Sequence, residues 1–468
     1  MLAIIVVLSM SGASVTDEPS PLRKSLDLAE WTESRFAKFV DGEPLTVDEQ
    51  HEVQRLAHRL AAFDRRIIEE EAEPVVTVTD LTSDPEAHRG RLVQLSGQVM
   101  HVDRQELDAE EQLKLGAETF YKLQVAGEGS PFAVVTSAIP QAWLALESID
   151  QPVVVQGLFV KLVVDEQDNP IPLVVVPCVA WHPIIPNPPA VNFGMSVLGT
   201  LGVDVSKLDS VKQRRPLVAD DSDAFYAVLT GLRTTGPRQL IRFAERQLPG
   251  HEKFWKQNLS AANDSGDPRR RELATEVLKQ ANEERYSVAP FFNDPAGQVG
   301  QIASFDGVCR RAVRIVLDDD TTAAAAGVDH YYELDVFTDD SQHMPIVFCM
   351  LEIPPGFLVG ENLHEPVRVA GFFFKSWRYS TRRSGDDRQR TFPLFIGRAP
   401  LRIIDSKESP LWGWIAGLGF VGLIAVVWLT QWRLARSDRA FAEGTIARMQ
   451  EPIEALDFSA ENVSLEGE

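Results

Sequence analysis

The chain has 468 residues, 44% of them hydrophobic and 24% charged, which excludes a disordered protein and leaves room for two to four domains. Its formal net charge is −22. That balance argues against a nucleic-acid binder, because phosphate affinity is supplied by clustered Lys and Arg.

In chain order, Met1 to Met10 form a short apolar run and Ser11-Gly12-Ala13 follow. The run is too short to span a bilayer, so residues 1–13 read as a secretory signal peptide, although no Lys or Arg precedes it. Residues 24–72 read as a helical segment. Thr46 and Glu49 have the spacing of a capping box, and Val53, Leu56, Leu60 and Phe63 follow at helical intervals.

Residues 74–183 read as a β module. Strands are expected at Leu92–Val102, Phe120–Val125, Phe132–Thr136, Val153–Val164 and Leu173–Trp181, with a helical piece near Gln141–Ile149. That order is the order of an OB-like barrel, and Gly157 in mid-strand marks a bend. Four Pro lie between Trp181 and Pro189, so residues 184–215 read as a stiff linker and connector between two semi-independent bodies.

The chain then repeats itself. Pro216-Leu217-Val218-Ala219-Asp220-Asp221 matches the helix start at Pro44 and opens a second helical segment, residues 216–290. Tyr332-Glu333-Leu334-Asp335-Val336 matches Tyr121-Lys122-Leu123-Gln124-Val125. The segment Pro366 to Lys375 matches Pro152 to Lys161. A second OB-like module is therefore expected over 297–404, with strands at Ala312–Leu317, Tyr331–Phe337, Ile346–Met350, Val367–Trp377 and Phe392–Gly397. The helix starts are offset by 172 residues and the β segments by 211 to 214. The second unit thus holds an insertion of roughly 40 residues, helical in spacing at Gln239–Ala244 and Arg271–Leu278.

Leu411 to Thr430 carry no charge over 20 residues, the length of a transmembrane helix. Trp412 and Trp414 mark one interface, Trp428 and Trp432 the other, and Arg433 and Arg436 follow on the expected cytoplasmic side. The span is placed at 411–432 and an acidic cytoplasmic tail at 433–468. The fold expectation is α+β: two tandem units, each a helical segment followed by a small OB-like β-barrel, plus one C-terminal transmembrane helix. The matching location is a bacterial cell membrane, single-pass type I, with the bulk of the chain extracytoplasmic.

No zinc-protease, nucleophile-elbow, phosphate-loop or EF-hand motif is present, and Cys178, Cys309 and Cys349 have no metal-ligand spacing. No cofactor or metal is expected, and the three Cys read as buried thiols. The repeats differ at one loop. In the second, Trp377 to Arg390 holds five Arg and two aromatics, where the first has the acidic Asp165 to Asn169. Trp377, Tyr379, Arg382, Arg383, Arg388 and Arg390 are the candidate binding residues, because Arg donors beside aromatic faces suit carboxylates, phosphates or sugars. A solvated hairpin tip, its Arg residues paired with Asp386 and Asp387, is the competing reading.

Phe337-Thr338-Asp339-Asp340-Ser341-Gln342, Pro354-Pro355-Gly356, Gly371 to Lys375 and Pro393 to Pro400 together resemble a group of bacterial exported, membrane-anchored proteins with paired OB-like modules and no assigned activity. The resemblance carries over no catalytic residue. The functional expectation is a membrane-tethered extracytoplasmic binding or scaffold protein of the cell envelope, not catalytic. Its expected partners are the lipid bilayer and an envelope protein, a cell-wall polymer or an anionic headgroup. The alternative is an envelope hydrolase or transferase using carboxylates such as Asp335, Asp339 and Asp340 for acid–base work.

Overall fold

The computed structural model describes residues 20–73, 76–146, 148–187, 190–317, 321–379, 390–403 and 417–433, the side chains of Tyr379 and Arg390 excepted. The expected signal peptide, residues 1–13, lies outside them. The described residues up to 403 belong to one compact unit, and 417–433 belong to another.

The first β module holds β1 (Leu92–Glu106), β2 (Thr119–Gly127), β3 (Pro131–Thr136), β4 (Gln151–Val164), β5 (Pro170–Val175) and β6 (Ala180–Trp181). Their order is β1-β2-β3-β5-β4-β6, and β1 pairs β4 as well. The second module holds β7 (Ile302–Val316), β8 (His330–Phe337), β9 (Ile346–Met350), β10 (Gly360–Tyr379), β11 (Arg390–Gly397) and β12 (Leu401–Arg402), in the order β11-β9-β8-β7-β10-β12, with β10–β11 pairing in addition.

The pairings repeat closely. β3–β5 and β9–β11 are parallel and the other named pairs antiparallel. Bulges fall at Val99/His101 and Cys309/Arg311, and again at Phe159/Lys161 and Phe373/Lys375. Gly157 and Gly371 lie where strands approach closely. A Cβ at Gly157 would stand 2.2 Å from the Val175 carbonyl oxygen, and one at Gly371 would stand 2.6 Å from that of Ile396.

Three expectations are corrected. Each OB-like barrel is replaced by a six-stranded sheet. The single last strand foreseen at Leu173–Trp181 breaks after Val175, and its end returns as β6 against Val153 and Val154 of β4. The transmembrane helix over 411–432 is not upheld. Among the described residues no helix is long and apolar enough to cross a membrane. The single-pass membrane location rested on that helix and falls with it. Of the proposed anchors, Trp428, Trp432 and Arg433 lie on the helix described at 417–433, while Trp412, Trp414 and Arg436 lie outside the described residues.

The stiff linker also differs from expectation. Val191, Val197, Leu198, Val203, Val205 and Leu208 are buried and join residues of both modules in one continuous core. The connector therefore packs the repeats together. A second cluster, containing Leu22, Leu26, Trp31, Phe36, Val53, Leu56 and Leu60, covers the other face of β3, β4 and β5. Those strands are buried on both faces, as their near-continuous apolar sequences require. In the second module Phe291, Phe305, Phe348, Phe373 and Phe395 interlock, with ring centroids 4.9–6.4 Å apart.

Each helical segment is fastened to its β module by the same device. Lys161 and Lys375 follow the bulges in β4 and β10 and are fully buried, at 0% exposure. Lys161 Nζ donates to Glu49 at 3.1 Å, and Lys375 Nζ donates to Asp221 at 2.6 Å and to the Pro216 carbonyl at 3.1 Å. Glu49 and Asp221 are the third helical residues of Val47–Ala61 and Ala219–Gly231, and each also accepts from the backbone N–H three residues before it. One carboxylate thus caps a helix and neutralises a strand lysine. Burial pushes the Glu49 carboxyl up, but the hydrogen bonds from Thr46 and Lys161 outweigh it and hold its pKa below the usual value.

Candidate functional site

The shared core leaves a cleft of about 530 Å³ where the repeats meet. Its walls come from the helix Arg65–Glu71, from β4 and β6, from the 3-10 turn Val205–Ser210, from the helix Ala219–Gly231 and from the short helix Thr321–Ala325. Both repeats and the connector contribute, so the cleft exists only in the assembled pair.

The floor includes Val154, Ala180, Val203 and Ala227, and the rim is polar. Arg65 Nε meets Glu69 at 3.2 Å, and the Arg65 guanidinium also pairs Asp204 and donates to Ser206 Oγ at 3.1 Å. Lys207 Nζ bridges Glu69 at 2.9 Å and Asp223 at 3.2 Å. Asp204 accepts the Trp181 backbone N–H at 2.8 Å, which ties β6 to the connector. Burial presses the pKa of Lys207 down, but Glu69 and Asp223 outweigh it and raise it. Burial acts likewise on Arg65, where Asp204 and the neighbouring acidic groups together outweigh it. Both cations therefore stay charged, and each is matched by carboxylates.

Gln156, His182 and Thr230 add further hydrogen-bonding groups. His182 Nδ1 lies 3.2 Å from the Val203 carbonyl, which makes that nitrogen the donor of the contact. The cleft thus alternates donors and acceptors without a large charge excess. No sequence motif marks it, because its residues are separated by up to 260 positions and converge only through the shared core.

The residues singled out in the sequence are distributed otherwise. Trp377 is on β10, where Tyr379 and Arg390 pair across to β11. Arg382, Arg383 and Arg388 lie outside the described residues. The carboxylates of the hydrolase alternative are not gathered in one cavity. Asp335 faces Arg311 across β7–β8 at 3.6 Å, and burial raises its pKa to about 6. Asp340 accepts from Val288 N at 2.9 Å and from Thr338 Oγ1 at 2.8 Å. Asp339 is exposed, 3.8 Å from Arg285, and lines with Asp340 a small cavity of about 90 Å³ that does not include Asp335. Among the described residues no group of His, Cys, Asp and Glu is placed to hold a metal ion. All three cysteines are free, Cys309 and Cys349 buried and Cys178 half-buried. Burial pushes the Cys178 thiol up to about 11, out of the nucleophilic range.

No family model matches the chain, and no curated protein matches it. Among solved structures it is similar to the aspartyl tRNA synthetase from Entamoeba histolytica, at 11% identity and a TM-score of 0.17, over 57% of this chain and 50% of that chain. The chain thus spans about half the length of that structure, and at such a score the likeness carries no argument.

Proposed function

We propose that the chain is a binding or scaffold protein and not a catalyst, and that the cleft between its repeats seats a segment of a hydroxyl-rich polymer such as a polysaccharide. One observation carries this reading: the lining residues Lys207, Glu69, Asp204 and Asp223 are neutralised among themselves and by the adjoining Arg65, while the rest of the lining keeps polar groups. Such a surface does not call for a charged ligand. It suits groups that donate and accept at once, and a hydroxyl does both. The volume lies within the range of small-ligand clefts. Catalysis would need a nucleophile or acid held beside its base, and here Glu69, Asp204 and Asp223 are committed to cations. The Arg-rich segment 378–390 is a second candidate, suited by its sequence to anionic groups.

The test is retention of the full chain on immobilised polysaccharides. The wild type, the double variant Lys207→Ala/Asp223→Ala and a deletion of residues 380–389 are compared. Retention lost in the cleft variant and kept in the deletion is the expected result. Retention lost only in the deletion moves the site to the loop, and release of shortened polymer makes the chain a hydrolase.

A further inference from the structure

The second helical segment contains an element without counterpart in the first, a hairpin of the helices Pro237–Ser265 and Pro268–Ala281. Trp255, Ala274 and Val277 form a small core of its own between the two helices. Over residues 237–281 there are nine Lys and Arg against six Asp and Glu, a net charge of +3. The rest of the chain therefore carries −25.

The cations are not spread evenly round the long helix. At 100° per residue, Arg238, Arg242, Arg246, Lys253 and Lys256 fall within one 80° sector, and all five are exposed. The sector runs about 27 Å along the axis at 1.5 Å per residue. Lys256 meets Glu252 at 2.5 Å and Arg246 stands over the Phe243 ring, but Arg238, Arg242 and Lys253 have no ion pair among the described residues. Beside the stripe, Phe254 stands 41% exposed.

We infer that this stripe docks an acidic helix of a partner protein. Charge complementarity argues for acid, since the hairpin carries +3 on a chain whose other residues sum to −25. Its linear form and the four-residue steps from Arg238 to Arg242 to Arg246 argue for a helix, because carboxylates at i, i+4 of a second helix repeat at the same pitch. The contact is steered by charge and screened by salt.

The probe is a synthetic helical peptide with Glu at every fourth position, titrated into the full chain at low and high salt. Three proteins are compared: the wild type, Arg238→Gln/Arg242→Gln/Arg246→Gln, and the charge-matched control Arg269→Gln/Arg270→Gln/Arg271→Gln at the hairpin tip. The expected result is salt-sensitive binding that the stripe variant weakens about tenfold and the tip control keeps, as three exposed charge pairs warrant. Equal weakening by both variants, no binding of the peptide, or binding of anionic vesicles or duplex DNA in its place would each overturn the inference. So would salt-sensitive self-association that the stripe variant abolishes, since the occupant would then be a second copy.

Discussion

Two buried residues set the sharpest expectations. Asp221 is 1% exposed, and Lys375 neutralises it at 2.6 Å. Replacing Lys375 with Met leaves a buried carboxylate without its cation, a loss of about 3–5 kcal/mol. The double variant Lys375→Met/Asp221→Leu removes both charges and recovers most of that stability in denaturant titrations. Lys161→Met costs less, because the Glu49 side chain is 14% exposed and water reaches it. His251 gives a pH signature. It packs on Tyr286 at 5.0 Å and Trp255 at 6.2 Å, and burial lowers its pKa to about 4. Unfolded His251 takes up a proton below about pH 6.5 and the folded residue does not. Its contribution is therefore complete above pH 6.5, is lost as pH falls toward 4, and amounts to about 3 kcal/mol. Asp335, raised to about 6, acts in the opposite sense over part of that window. The check is the difference in stability between wild type and His251→Phe across pH 4–7, which retains a slope only if His251 stays neutral in the fold.

At the scale of elements, the repeat was legible because it recurs in the apolar pattern. The helix start at Thr46 forms the capping box that its sequence signals, and Val53, Leu56 and Leu60 are buried. Strands β2, β3, β8 and β9 fall close to their expected places. The start of β7 was missed by ten residues, since Ile302 to Arg311 mixes charges into a strand that is half covered. The buried lysines were part of the matched segments, but a lysine in a strand reads as solvent-facing until the bulge that turns it inward is seen. Gly157 and Gly371 were read as bends, and their neighbours explain why. Gly157→Ala places a methyl 2.2 Å from a backbone carbonyl and forces β4 from β5. The expected loss is about 2–4 kcal/mol in thermal or denaturant unfolding, whereas Gly236→Ala, with open space around it and a φ of −73°, loses less.

At the scale of the whole molecule, the sequence suggested two bodies on a stiff linker, and the structure has one core running through both. Proline content conveyed stiffness, but the apolar residues from Val191 to Leu208 decide the packing, and their partners are distant in sequence. The apolar run at 411–430 read as a membrane span because hydropathy registers composition alone, and among the described residues no helix is long and apolar enough to cross a membrane. The junction cleft was invisible in the sequence for the same reason as the core. Its residues come from six separated segments, and each is unremarkable in its own context.

The central claim is that this cleft binds without turnover. The most direct measurement is calorimetric titration of the full chain with short soluble oligosaccharides from the polymer it retains, followed by product analysis of the same mixture. The account predicts saturable binding, its loss in Lys207→Ala/Asp223→Ala, and oligosaccharide recovered unchanged. Binding that survives the cleft variant, or oligosaccharide recovered shortened, would contradict it.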